Sequence, residues 1–182
     1  MRFDLSDTTH LRPVTARDAD ALFDVTMANR AHLAPWMPWA RELLHPGQTR
    51  EWIRTVQRQI AEGSGFSCLV VEDGRIRGTV GLNRVDQVNG ATAIGYWLTE
   101  EAQGRGLMTA AVRTLVDHAF GTMMLHRVVI EAAPDNVRSR AIPERLGFTQ
   151  EGVLREVERL GDRWLDHVVY GLLATEWRAA RS

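Results

Sequence analysis

The sequence predicts a mixed α/β domain, a central and mostly antiparallel sheet with crossover helices in its second half. Three features carry that expectation. Two strong hairpin signals, Asp73-Gly74 and Asn89-Gly90, divide apolar runs in the middle of the chain. Stripes with helical period flank this block on both sides. Toward the C-terminus, strand-length runs alternate with helical segments, the order that lays helices across a sheet. With 182 residues the chain has the length of one domain, expected over 1–182. A globule of that size buries roughly 70% of its unfolded surface and needs no disulfide or metal to hold it.

Taken in order, residues 9–14 read as a first strand. Residues 18–29 read as a helix with Ala21, Leu22, Val25 and Ala28 on one face. Residues 34–39 contain Pro35 and Pro38, which argue against regular structure. Residues 48–62 return to helical spacing, with Trp52, Ile53, Val56 and Ile60 as the stripe and Gly63 as the stop. Residues 66–71, 76–85 and 91–98 form a three-strand meander around the two turns. Met108, Val112, Leu115 and Ala119 then mark an amphipathic helix. Val128-Val129-Ile130 is a buried strand, followed by a polar loop and a short helix ending near Gly147. Two last strands, 149–159 and 163–172, meet at Gly161-Asp162.

Composition removes several function classes. All 22 basic residues are arginine, set against 23 acidic residues for a net charge of -1. That balance disfavours bulk nucleic-acid binding through a basic surface, and with it an enzyme acting on charged tRNA. A lone cysteine, Cys68, excludes an intramolecular disulfide framework and a multi-cysteine zinc site, and its apolar strand suits a small buried residue. The six histidines show no H-E-x-x-H spacing, so no metal is expected, and His118 and His126 read as structural. No G-x-S-x-G elbow supports an α/β-hydrolase. Residues 1–7 lack the apolar core of a secretory signal, and the apolar stretch 168–174 is far short of a membrane span. The expected setting is a reduced cytoplasm, with no membrane partner.

The most informative stretch runs from Gly95 through Thr109. A strand ends, a loop carries Gly104 and Gly106, and a helix begins. Such a turn presents unpaired backbone N–H groups at a positive helix end, which suits a pyrophosphate, and Arg105 adds a positive charge beside it. The pattern lacks the third glycine of a dinucleotide fingerprint and the Gly-Lys-Ser/Thr of a P-loop. By itself it reads first as a tight strand-to-helix turn. Further on come Asn136-x-x-Ser139 and Leu146-Gly147-Phe148.

With these three ordered elements the chain resembles the GCN5-related N-acetyltransferase (GNAT) superfamily over nearly its whole length, from Leu11-Arg12-Pro13 to the last strand. Ile94-Gly95-Tyr96-Trp97-Leu98 together with Asn136-x-x-Ser139 resembles the branch of ribosomal-protein alanine/serine N-terminal acetyltransferases. The resemblance implies a twisted sheet flanked by about four helices, with a splayed pair of central strands holding acetyl-CoA. It implies cofactor contacts from Trp97, Leu98, Gln103, Gly104, Arg105, Gly106, Leu107, Met108, Asn136 and Ser139. It also implies a homodimer. Two departures stand out. Met108 occupies a place the superfamily usually gives to Gly or Ala, and its position on the apolar stripe predicts that it packs inward. Pro143, inside the short helix, removes the N–H that would bond the Ser139 carbonyl, typically ~3 kcal/mol in a helix interior, and predicts a kink.

Attack of an amine on a thioester needs a neutral amine, an anchored cofactor, a donor for the developing oxyanion and an exit for the thiolate. An α-amino group costs about 1–1.4 kcal/mol to deprotonate at pH 7, against about 4.6 for lysine, so a modest base suffices for a protein N-terminus. The branch resemblance places that base at Glu158. Glu151 and Glu156 have similar local chemistry, and regular alternation puts Glu156 and Glu158 on one face. Many superfamily members protonate the thiolate with a tyrosine just after the fourth helix. None lies between Tyr96 and Tyr170, so the resemblance passes the role to Ser139. The backbone N–H near Leu98 becomes the thioester contact through the splayed strand. Asn136 reads either as a pantetheine contact or as a helix N-cap. Trp36, Met37 and Trp39 read either as an acceptor groove or as core. The leading function is direct acetyl transfer to a protein N-terminus, with a small-molecule amine acetyltransferase and a non-catalytic acyl-CoA-binding module as alternatives.

Overall fold

In the computed structural model, which describes residues 1–180, the chain enters its sheet through β1 (Phe3–Asp4) and β2 (Thr9–Pro13). Next come α1 (Ala19–Ala28) and two short helices with no sequence periodicity to announce them, α2 (Arg30–Leu33) and α3 (Pro38–Glu42). The irregular segment expected over 34–39 is therefore shorter. Pro38 stands at the start of α3, where a missing N–H breaks no helical bond. α4 (Pro46–Glu62) also starts on proline and stops at Gly63, whose φ of 68° makes the left-handed cap. Its buried stripe is narrower than expected: Ile53 and Val56 are buried, whereas Trp52 and Ile60 are exposed.

The meander forms as expected from β3 (Phe66–Glu72), β4 (Arg75–Asp86) and β5 (Ala91–Leu98), all antiparallel. Asp73 and Gly74 take φ values of 48° and 72°, the two left-handed positions of a tight hairpin turn. α5 (Leu107–Gly121) crosses to β6 (Arg127–Ala132), which lies parallel to β5. α6 (Val137–Arg145) leads into the hairpin of β7 (Thr149–Leu160) and β8 (Arg163–Leu173), and α7 (Ala174–Ala179) follows. The eight strands lie in the order β1-β2-β3-β4-β5-β6-β8-β7. β8 reaches past β7 to pair with β6, so β7 becomes the sheet edge. About four helices were expected; seven occur among the described residues, the excess being pieces of four to six residues.

Each face of the sheet buries its own core. Met108, Val112, Leu115 and Ala119 of α5 pack with Ile94, Val128, Ile130, Val168 and Tyr170 on one face. Leu22, Leu33, Ile53 and Val56 pack with Leu69, Val71 and Trp97 on the other. Burying side chains of this size contributes roughly 1.5–3 kcal/mol apiece. Alternation along β5 thus sends Ile94 and Leu98 to one side and Trp97 to the other, which places the site between two packed layers.

Candidate active site

The site originates in a failure of pairing. β5 and β6 pair only as far as Ala93 opposite Val129, so the rest of β5 diverges from its neighbour. Thr99 donates its N–H to the Arg77 carbonyl on the β4 side. Alternation along that antiparallel ladder turns the N–H groups of Tyr96 and Leu98 toward the open side, where no strand receives them.

Beyond β5 the chain turns into α5 through Gly104 and Gly106, both at φ 75°. A Cβ built on either glycine meets nothing within 4 Å. Gly106 caps α5, and the first turn above it leaves the N–H groups of Leu107, Met108 and Thr109 without helical partners. These residues line a groove of about 1110 Å³, together with Gln103, Asn136 and Ser139. Free amides at the positive end of a helix, beside bare glycines, fit a pyrophosphate. Met108 packs into the core as expected while its edge remains in the groove wall. Gln103 bridges the groove's two sides: its Nε2 lies 2.8 Å from His32 Nε2, and its Oε1 accepts from Arg138 Nη1 at 2.7 Å.

Arg105 behaves differently from its sequence reading. Its guanidinium makes a two-pronged pair with Glu72 at 3.0 and 2.9 Å and does not line the groove. The free positive charge expected beside the pyrophosphate is thus neutralised by a carboxylate 33 positions earlier. Hydrogen bonds from Arg105 hold Glu72 below the usual carboxylate range, and Glu72 also binds Arg77 at 3.2 Å. Arg105 therefore ties the loop to the β3–β4 hairpin. The arginines that do line the groove are Arg113, Arg138 and Arg145.

A second cavity of about 640 Å³ lies on the side of α1, α3 and α4. It shares Trp36, Met37, Tyr96, Trp97, Asn136 and Ser139 with the groove, so the two spaces meet at the splay. The tryptophan segment both packs against the core and lines this cavity. Met37 packs against the core, whereas Trp39 is largely exposed and sits 6.2 Å from Trp97 by ring centroid. Asn136 Oδ1 caps α6 by accepting the Ser139 N–H at 3.2 Å, and the residue also lines both spaces.

At the junction, Tyr96 meets Ser139. The Ser139 hydroxyl donates to the Tyr96 oxygen at 3.4 Å, and the Tyr96 hydroxyl donates to the Ser139 carbonyl at 3.0 Å. α6 continues through Pro143. The carbonyl that Pro143 deprives of a helical donor receives one from β5 instead.

The three glutamates separate cleanly. Glu151 is bound by Arg127 outside either space. Glu156 sits at φ 51° in a bulge, its N–H bonded to Asp166 Oδ1 at 2.8 Å, and its side chain is exposed. The bulge lets residues 154 to 158 of β7 span only 167 to 165 of β8, which breaks the alternation expected to pair Glu156 with Glu158 on one face. Glu158 lines the second cavity, and its Oε2 lies 3.1 Å from His167 Nε2. His167 Nδ1 faces Glu131 Oε2 at 3.5 Å, and Glu131 Oε1 accepts from Arg84 at 3.0 Å.

A groove that fits a pyrophosphate, opening at a splayed strand onto a cavity with a carboxylate, is the layout of an acyl-transfer site. The acetyltransferase (GNAT) domain profile matches residues 9–149. The chain belongs to the GNAT acetyltransferase family. YdaF of Bacillus subtilis, named as a candidate ribosomal N-acetyltransferase, is 35% identical over 175 residues, covering 94% of each chain. The ribosomal-protein-serine acetyltransferase of Escherichia coli is 26% identical, covering 91% of this chain and 93% of its own. Among solved structures, RimL, a ribosomal alpha-N-protein acetyltransferase in complex with coenzyme A, superposes with a TM-score of 0.92 at 26% identity. That match covers 97% of this chain and 99% of RimL. The protein is thus a GNAT-type N-acetyltransferase.

In this GNAT enzyme Tyr96, His167, Glu131 and Arg84 line the cavity without a side-chain role expected from the sequence. Tyr96 was discoverable: period-two alternation puts it with Ile94 and Leu98 on the α6 face, and Pro143 leaves a carbonyl there in need of a donor. The His167 cluster was not, because its members lie on four strands joined only by sheet order.

Proposed function

We propose that this GNAT enzyme transfers the acetyl group of acetyl-CoA directly to the α-amino group of a protein N-terminus, with ribosomal proteins as the acceptor class. The observation that carries this reading is the wall shared by the two spaces, formed by Tyr96, Trp97, Asn136 and Ser139. A thioester in the groove and an amine in the cavity meet there without a covalent enzyme intermediate. The names of the relatives support the acceptor class, and such an acceptor goes with a cytoplasmic setting.

Acetyl-CoA, when bound, supplies an acyl group activated as a thioester. The backbone at Gly104, Gly106, Leu107 and Met108 holds the pyrophosphate, and Gln103 closes over the arm between His32 and Arg138. Trp97 walls the junction, and the outward N–H of Leu98 donates to the thioester oxygen as charge grows on it. Glu158 accepts the proton that the amine gives up, directly or through one water. The α-amine demands only about 1–1.4 kcal/mol of deprotonation at pH 7, within reach of an ordinary carboxylate. Ser139 turns its hydroxyl from Tyr96 to the departing sulfur. A thiol near pKa ≈ 8.5 needs little help, so a weakly acidic hydroxyl is adequate. Asn136 fixes the first turn of α6 and with it the aim of Ser139.

The test is release of free thiol from acetyl-CoA with peptides beginning Ala, Ser or Met, run beside a polyamine and an aminoglycoside. Turnover on a peptide is expected. Turnover only on the small amines would move the enzyme to small-molecule acceptors. Binding of acetyl-CoA with no transfer to any amine would leave a non-catalytic module.

A further inference from the structure

Behind Glu158 lies a row of alternating charged and polar groups, all of which line the acceptor cavity. Arg84 on β4 donates to Glu131 on β6, Glu131 faces His167 on β8, and His167 meets Glu158 on β7. The spacings are 3.0, 3.5 and 3.1 Å. Exposure falls from 71% at the Arg84 side chain to 16% at His167, so the ring is the enclosed member of the row.

We propose that His167 is a positioning residue for Glu158. The inference rests on Glu158 being the base that accepts the amine's proton. A carboxylate only accepts hydrogen bonds, so the Nε2 that faces Glu158 carries the hydrogen. That bond occupies Oε2 and leaves Oε1 available to the amine. Glu158 needs such an anchor because it follows the bulge at residues 155–157, where left-handed Glu156 interrupts the β7 ladder. The other ring nitrogen, Nδ1, is buried without a hydrogen-bond partner, 3.5 Å from the Glu131 carboxylate, so the bond to Glu158 is the ring's one side-chain hydrogen bond in this row. A base displaced by an ångström loses about a hundredfold in rate, which sets the scale of what this support protects.

The discriminating variants exploit the two ring nitrogens. Gln places an amide N–H where Nε2 sits, whereas Asn places one where Nδ1 sits. We expect His167→Ala and His167→Asn to lower kcat by about ten- to a hundredfold, with KM for acetyl-CoA and the melting midpoint unchanged. His167→Gln should recover most of the loss. In a Glu158→Gln background, His167→Ala should change kcat no further. The assay uses the full chain and whichever amine the wild type acetylates. Full activity in His167→Ala, equal loss in the Gln and Asn variants, or an undiminished effect without Glu158 would each overturn the inference. A wild type that acetylates no amine would instead overturn the reading of the site, and this inference with it.

Discussion

The hydroxyl of Tyr96 donates to the carbonyl of Ser139 at 3.0 Å and so supplies the bond that Pro143 cannot. One aromatic residue on the splayed strand thereby completes a helix and fixes the serine at the end of the cofactor groove. Burial pushes the Tyr96 phenol above its ordinary pKa, consistent with a hydroxyl that stays protonated as a donor. Tyr96→Phe is expected to destabilise the fold by about 0.5–1.5 kcal/mol by orphaning that carbonyl. In a Pro143→Ala background the helix has its own N–H, so the same change should cost less. Urea unfolding of the four proteins measures the coupling, and strict additivity would refute the pairing.

Glu158 and Glu156, two positions apart, should respond oppositely to the same substitution. Glu158→Gln is expected to lower kcat by about 10²–10⁴-fold, the usual loss on removing a general base. Glu156→Gln, in the exposed bulge, should leave kcat unchanged. Initial rates at saturating acetyl-CoA decide between them.

Acid should loosen the attachment of α1. Burial alone would raise the Asp18 carboxyl, but hydrogen bonds from Arg12 at 2.8 and 2.6 Å and from Thr15 outweigh it and hold it at about 2. A depressed carboxyl stabilises the folded state above its unfolded pKa, and that contribution is lost as pH falls through the folded one. The loss should therefore run from near pH 4 down to about pH 2. It amounts to roughly 2 kcal/mol and should be missing from Asp18→Asn. Thermal melts across that range provide the comparison.

Cys68 should be chemically silent. Burial in the β3 core pushes its thiol up to about 12, so the reactive thiolate is scarce at neutral pH. A thiol reagent should label the native protein negligibly and the denatured protein with one equivalent. Rapid native labelling would show that the β3 face opens.

The parts of this fold that were legible in the sequence are those written in local chemistry. Asp73-Gly74 and Asn89-Gly90 mark the meander, the Met108 to Ala119 stripe marks α5, and Gly104 and Gly106 mark the loop before it. The short helices α2, α3 and α7 were illegible because four to six residues complete too few turns to show a period. The Arg105–Glu72 pair was illegible because sheet pairing brings Glu72 to the loop, and local sequence carries no trace of that contact. Glu156 could not be told from Glu158 because a bulge, unlike a turn, has no residue that announces it here.

The most direct test is to incubate the enzyme and acetyl-CoA with a peptide that begins with Ser and carries an internal lysine, then locate the acetyl group by fragmentation mass spectrometry. Transfer assisted by Glu158 in a site suited to an easily deprotonated amine predicts acetylation at the α-amino group, abolished in Glu158→Gln. Acetyl on the lysine side chain alone, or undiminished α-acetylation without Glu158, would contradict it.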